Sequence, residues 1–80
     1  PDLAGASVFV TGGGSGIGAA MVEGFAAQGA RVAFVDIQDS RAFAADAASR
    51  TGTPVLFLPC DITDTPALEA AMDEAARAHG

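Results

Sequence analysis

The feature that most constrains this chain is a glycine cluster near its start. Residues 11–18 read TGGGSGIG, and five of the seven positions from Gly12 to Gly18 are glycine. The cluster follows an apolar, β-branched run at residues 6–11, which predicts a buried strand. It precedes apolar residues at helical spacing over residues 16–28, with Gly29 as the stop signal. The chain is therefore expected to pass from a strand through a tight glycine turn into a helix.

The remainder of the chain repeats the same alternation. Residues 31–36 (RVAFVD) and 54–59 (PVLFLP) predict a second and a third strand. An alanine-rich helix is expected over residues 40–50, with Asp39 or Ser40 as its N-cap and Gly52 beyond its end. A last helix is expected to start with Thr65 as N-cap and Pro66 as its first residue. Its apolar face would hold Leu68, Met72, Ala75 and His79.

This β-α-β-α-β-α order predicts an α/β fold with a parallel sheet, because helical crossovers separate the strands. Right-handed crossovers place the first two helices on one face and give the strand order 3-2-1. The third helix would cross to the other face. The expected fold is a three-layer Rossmann-type arrangement, half of a doubly wound domain. With nineteen alanines and five aromatic residues, the core should consist largely of small side chains.

The glycine turn is suited to binding a pyrophosphate. Unpaired N–H groups and the positive end of the helix dipole would face the phosphate oxygens, and glycine lets the backbone approach them. The glycines do not fit the GxGxxG spacing, and a Walker-type loop is excluded because the chain has no lysine. The simpler alternative is a turn that only connects two elements.

The spacing that fits is TGxxxGxG, with Gly12, Gly16 and Gly18. We expect glycine to be required at Gly12 by the backbone angles and at Gly18 by the close contact of helix and strand. In this spacing the chain resembles the short-chain dehydrogenase/reductase family, and the resemblance extends from the strand before the turn to the third helix. The family resemblance implies a nicotinamide cofactor and a cofactor-binding turn that also includes Gly14, Ser15 and Ile17.

Asp36 closes the second strand, 18 residues after Gly18. A carboxylate there can accept both hydroxyl hydrogens of the adenosine ribose, which selects NAD and repels the 2′-phosphate of NADP. Members of the family that prefer NADP tend to have a basic residue at the positions of Ser15 or Ile37, and neither is basic here. Arg41 is close enough in sequence to oppose this assignment. The alternative for Asp36 is a solvated aspartate at the end of a strand.

The Cys60-Asp61-Ile62 segment follows the third strand. The resemblance implies that Asp61 binds the adenine amino group and that the backbone N–H of Ile62 meets a ring nitrogen. From the residues alone, Asp61 could equally organise the turn before the last helix. Cys60 is most simply a buried small residue, and His79 is structural or solvated rather than catalytic.

Charge and composition restrict the partners and the compartment. The net charge is −6 and lysine is absent, which argues against nucleic acid and against an anionic membrane surface. No apolar run approaches the roughly 20 residues of a membrane span. The single cysteine leaves no internal disulfide and no cysteine-rich metal site. We expect a soluble cytoplasmic protein, and the resemblance implies a homo-oligomer.

The sequence also lacks the residues that the family uses in catalysis. Those are a tyrosine and a lysine four residues apart, with a serine and an asparagine nearby, yet this chain has no tyrosine, lysine or asparagine. The resemblance therefore implies that residues 1–80 are the N-terminal part of a dinucleotide-binding domain whose catalytic half lies outside them. We expect the 80 residues alone to be inactive. The first hypothesis is the NAD-binding part of an oxidoreductase that acts on a secondary alcohol or ketone, with its substrate site outside this chain. The alternatives are a freestanding nucleotide-binding or redox-sensing module and a domain of the extended, epimerase-like relatives.

Overall fold

The computed structural model describes residues 3–14 and 16–79. Strands and helices alternate as predicted, and most predicted ends are within one residue of the observed ones. The elements are β1 (Ser7–Thr11), α1 (Gly16–Ala27), β2 (Arg31–Asp36), α2 (Arg41–Thr51), β3 (Val55–Pro59) and α3 (Thr65–His79). None of the helices within the described residues is both long and apolar enough to cross a membrane.

The three strands form one parallel sheet with β2 in the middle, in the order β1-β2-β3. In register, Val10 of β1 lies beside Phe34 of β2, which lies beside Phe57 of β3. Because the strands are parallel, their carboxyl ends meet at one edge of the sheet. The predicted fold class and strand order are thus confirmed.

The two faces of β2 supply two separate cores. Val32 and Phe34 pack with buried residues of α1 and α2, whereas Ala33 and Val35 pack with buried residues of α3. The prediction of one helix pair on one face and α3 on the other is confirmed. Small side chains dominate the α3 face. On the opposite face, the ring of Phe34 lies 5.8 Å from that of Phe43 and 5.2 Å from that of Phe57, measured between centroids.

The buried face of α3 differs by one position from the predicted one. Ala75 and His79 are buried and Leu68 is half-buried, as expected, but Met72 is 49 % exposed and Ala71 is buried in its place. Leu68, Ala71, Ala75 and His79 still follow a helical period. The smaller alanine lets the helix lie close to the sheet.

His79 has a structural role. Its Nε2 lies 3.0 Å from the carbonyl oxygen of Val32 in β2, and its own carbonyl oxygen accepts a hydrogen bond from Ser7 Oγ at 3.3 Å. The end of α3 is thereby attached to both β1 and β2. These contacts agree with the structural alternative for this histidine.

The start of α3 corrects a predicted cap. Asp64 Oδ1 accepts a hydrogen bond from the N–H of Ala67 at 3.2 Å, and the carbonyl oxygen of Asp64 accepts the N–H of Leu68 at 2.9 Å. Asp64 is therefore the N-cap, and Thr65 is the first helical residue rather than the cap. Both residue types can cap a helix. Here the cap is the aspartate, because its side chain reaches the N–H of Ala67, the third helical residue.

Candidate functional site

The glycine turn between β1 and α1 is attached to the centre of the sheet. The N–H groups of Gly12 and Gly13 both point to the carbonyl oxygen of Val35, at 2.8 and 3.3 Å. Gly12 and Gly16 have φ angles of 69° and 58°, which residues other than glycine rarely adopt. The predicted reason for glycine at Gly12, its backbone angles, therefore agrees with the structure. Ser15 lies outside the described residues.

Crowding requires glycine at two further positions, Gly13 and Gly18, whereas Gly14 is crowded only by the terminal side-chain groups of Ser40 and Asp36. A Cβ atom at Gly13 would lie 2.7 Å from the side chain of Phe34, and one at Gly18 would lie 2.8 Å from the carbonyl carbon of Gly12. One at Gly14 would collide with Ser40 Oγ and with Asp36 Oδ2. The close approach of helix to strand predicted at Gly18 is thus present. The turn fits tightly against β2, and only glycine permits that fit.

Asp36 connects the turn to the two neighbouring segments. Its Oδ2 accepts a hydrogen bond from the N–H of Gly14 at 2.9 Å, and its Oδ1 accepts one from the N–H of Gln38 at 3.0 Å. Its carbonyl oxygen accepts the N–H of Cys60 at 3.1 Å. Each carboxylate oxygen thus has one backbone donor and keeps acceptor capacity for another. The carboxylate is half-buried and held in one orientation.

A cavity of about 160 Å³ brings together five of the ten predicted site residues. It is lined by residues that follow all three strands, namely Gly12, Asp36, Ile37, Cys60, Asp61 and Ile62. The parallel sheet explains this assembly, since the carboxyl ends of its strands share one edge.

Exposed isoleucines surround this cavity and the turn. Ile17 is 82 % exposed, Ile37 73 % and Ile62 50 %. Each belongs to a segment that follows a strand or begins α1, at the carboxyl edge of the sheet. Large apolar side chains concentrated at one edge are characteristic of a surface that a ligand or another segment covers.

Asp61 is exposed and stabilises the turn before α3. Its Oδ1 accepts hydrogen bonds from the hydroxyl of Thr63 at 2.7 Å and from the N–H of Thr63 at 2.9 Å. These bonds lower the pKa of the Asp61 carboxyl, the hydroxyl having the larger effect. The turn-forming alternative is therefore present in the structure. Both bonds reach the same oxygen, so the adenine contact stays a compatible prediction.

Arg41 is paired with Asp39, which the sequence predicted only as a candidate helix cap. Its Nε and Nη2 donate to Asp39 Oδ1 and Oδ2 at 2.9 and 2.7 Å. This bidentate pair lowers the pKa of Asp39 from 3.8 to about 2, chiefly through the side-chain hydrogen bond from Arg41. The same contact raises the pKa of Arg41. Opposite charges two residues apart are the only sequence signal for this pair.

Within the part of the chain that the structure describes, Cys60 does not belong to a group of side chains that could hold a metal ion. Cys60 is buried beside the cavity, as predicted, with its thiol 3.5 Å from the carbonyl oxygen of Asp61. Among residues 3–14 and 16–79, no group of three or more His, Cys, Asp or Glu side chains could hold a metal ion. The geometry of this edge is that of a backbone turn and two carboxylates around a cleft.

Comparison with known proteins identifies the family. The family model described as short chain dehydrogenase matches residues 6–80, nearly the whole chain. The chain belongs to the short chain dehydrogenase family. Members of this family are oxidoreductases that bind a nicotinamide cofactor. The resemblance inferred from the glycine spacing is thereby confirmed.

Individual members of the family agree with this assignment. A probable galactose dehydrogenase of Rhizobium meliloti is 54 % identical over 77 residues, which cover 94 % of this chain and 30 % of that protein. A dehydrogenase/reductase from Sinorhizobium meliloti superimposes with a TM-score of 0.92 at 34 % identity, over 99 % of this chain and 32 % of that one. A blue fluorescent protein from a metagenomic library, in complex with NADPH, gives a TM-score of 0.82 at 33 % identity, over 94 % of this chain and 32 % of that one. The chain thus spans about a third of the length of these relatives.

Proposed function

We propose that this chain forms the NAD(H)-binding part of an oxidoreductase that transfers a hydride between NAD(H) and a secondary alcohol or ketone. The observation that carries the proposal is the cleft at the carboxyl edge of the sheet. There Gly12 at the start of the glycine turn, the oriented carboxylate of Asp36 and the loop around Asp61 line one cavity. Bound there, the nicotinamide would supply the hydride acceptor or donor.

The glycine turn would hold the pyrophosphate. Gly12, Gly14 and Gly16 have no side chain to obstruct the backbone, and Gly18 lets α1 start directly above β1. The first N–H groups of a helix lack partners within it and carry the positive end of the dipole. We assign Ser15 and the exposed Ile17 to the same contact surface.

Asp36 would bind the adenosine ribose. Its two oxygens have one backbone donor each, so each can still accept a hydroxyl hydrogen. A 2′-phosphate would instead face this carboxylate. Two unit charges about 4 Å apart repel by roughly 1 kcal/mol in bulk water and about 4 kcal/mol at an effective dielectric constant of 20. The resulting preference is for NAD(H) over NADP(H).

The adenine would lie between the second and third loops. Ile37 and Ile62 offer exposed apolar surface on the two sides of the cavity that contains Asp36. We assign the adenine amino group to Asp61 and a ring nitrogen to the N–H of Ile62. With Oδ1 of Asp61 engaged by Thr63, Oδ2 is the oxygen expected to accept from the amino group.

The family and the relatives support the proposed substrate class. The most similar relative named above is a probable galactose dehydrogenase, and galactose carries CH–OH groups. The described residues contain no tyrosine or lysine to polarise such a group. We therefore propose that the groups that contact the alcohol lie outside this chain.

Binding measurements with both cofactors test the NAD assignment. NADH should bind more tightly than NADPH, and Asp36→Ala should narrow that difference about tenfold or more, because it removes an ionic acceptor. Asp73→Ala is the matched control, since it removes the same charge from an exposed position of α3. Equal affinity of the unmodified protein for NADH and NADPH would contradict the NAD assignment. Absence of binding to either would contradict the site itself.

A further inference from the structure

Arg41 is the positive side chain at the cofactor edge of the sheet. The chain has four arginines. Arg31 begins β2 at the opposite edge, and Arg50 and Arg77 lie in the last turns of α2 and α3, which return the chain to that opposite edge. Arg41 alone begins a helix directly after the strand that ends in Asp36. Within the described residues it is thus the cation placed to meet an anion near the ribose.

Arg41 lines a cavity adjacent to that of Asp36. This second cavity, of about 400 Å³, is bounded by Ile37, Asp39, Arg41, Phe57 and Pro59. Ile37 also lines the cavity that contains Asp36. An arginine near the ribose is the kind of group that accommodates a 2′-phosphate in dinucleotide-binding folds. If the guanidinium of Arg41 were available, it would attract the 2′-phosphate of NADP(H). It would thereby oppose the preference for NAD(H) that we assign to Asp36.

Asp39 forms an ion pair with that guanidinium. Both carboxylate oxygens accept from Arg41 in the planar, two-point geometry that carboxylates and phosphates share. Asp39 Oδ1 also accepts the backbone N–H of Arg41 at 3.2 Å, so the carboxylate is fixed to the first turn of α2 at the same residue. A phosphate that approaches by the same Nε–Nη2 edge would have to displace a carboxylate that is only two residues away in the chain.

We propose that Asp39 is a positioning residue for cofactor selectivity, which holds Arg41 in a bidentate ion pair and withholds it from a 2′-phosphate on the adenosine ribose. The inference rests on the proposed function of the Asp36 cavity. It adds a second determinant to the repulsion by Asp36. Selectivity would then depend on a charge pair outside the set of cofactor-contacting residues.

A double-mutant cycle in the purified protein tests this role. The variants are Asp39→Asn, Arg41→Ala and the combination, and the affinities for NADH and NADPH are measured by titration for each. Asparagine keeps an oxygen for the Arg41 N–H and so preserves the start of α2, while the charge that holds the guanidinium is lost. Asp39→Glu serves as the conservative variant.

The expected result is a change confined to NADPH. Asp39→Asn should strengthen NADPH binding about twofold to fivefold, the effect of one exposed charged contact, with NADH affinity nearly unchanged. The gain should weaken as salt is added, because it depends on ionic attraction. Asp39→Glu should restore the original ratio, and in the Arg41→Ala background Asp39→Asn should have no such effect.

Two results would overturn the inference. If Asp39→Asn leaves the NADPH-to-NADH ratio unchanged, the ion pair does not withhold Arg41. If the same gain persists in the Arg41→Ala background, Asp39 acts through its own negative charge and not through Arg41. Failure of the unmodified protein to bind NADH is a different outcome, which would overturn the proposed function together with this inference.

Discussion

Gly18 is a position where the addition of one methyl group should clearly destabilise the fold. A Cβ atom there would lie 2.8 Å from the carbonyl carbon of Gly12 and 3.0 Å from Cα of Gly13, whereas ordinary contacts begin at 3.4 Å. All these atoms belong to the backbone, so no side chain can rotate away. We predict that Gly18→Ala destabilises the protein and weakens NADH binding.

The size of the effect follows from two opposed contributions. Alanine in a helix is favoured over glycine by about 0.8–1 kcal/mol. Overpacking by one methyl group costs about 1–3 kcal/mol, with the upper part of the range expected against a rigid backbone. Gly24 lies in the same helix, and a Cβ atom there meets nothing within 4 Å. Gly24→Ala thus has the helix gain alone, and the difference between the two variants should equal the overpacking cost.

Thermal unfolding and NADH titration measure both consequences. Each kcal/mol corresponds to roughly 2–8 °C in Tm, depending on the length of the domain, so Gly18→Ala should melt several degrees below Gly24→Ala. Movement of the turn should also weaken NADH binding by Gly18→Ala but not by Gly24→Ala. The reasoning is refuted if the two variants have the same Tm and the same affinity.

Two further predictions concern a charge pair and a strand edge. In a carbon-13 NMR titration the carboxyl of Asp39 should have a pKa of about 2, and Arg41→Ala should return it toward 3.8. Because the folded-state pKa is lowered, the pair stabilises the fold fully above the unfolded value and is lost as the pH falls through about 2. Separately, residues 1–80 expressed alone should associate, since within the described residues β1 pairs only with β2 and leaves its outer edge open. A monomer by light scattering that unfolds in a sharp, cooperative transition by calorimetry would contradict that expectation. It would favour the hypothesis of a freestanding module.

The sequence predicted those features that depend on backbone stereochemistry and on periodicity. Gly12 and Gly18 were assigned distinct reasons for being glycine, and the φ angle of one and the crowding at the other agree with them. The β-α alternation predicted the strand order, because a parallel sheet with right-handed crossovers permits few arrangements.

Features that depend on the path of a loop could not be predicted. Asp64 rather than Thr65 caps α3 because of where one oxygen lies relative to one N–H, and both residue types suit the role. The pairing of Arg41 with Asp39 likewise depends on the turn before α2. The burial of Ala71 in place of Met72 reflects how closely α3 approaches the sheet, which periodicity alone does not determine.

The hydrogen bonds of Asp36 have a consequence for any attempt to exchange the cofactor preference. The same carboxylate that would choose between two cofactors also joins the N–H of Gly14 to that of Gln38. A substitution that admits the phosphorylated cofactor therefore also removes one of the hydrogen bonds that hold the glycine turn, leaving those of Gly12 and Gly13 to Val35. Evolution or engineering of this trait would need at least two coordinated changes, one at Asp36 and one that anchors Gly14 by another route. Asp36 thus contributes both to the cofactor preference and to the structure of the turn. A single substitution of Asp36 should yield a protein that binds both cofactors poorly.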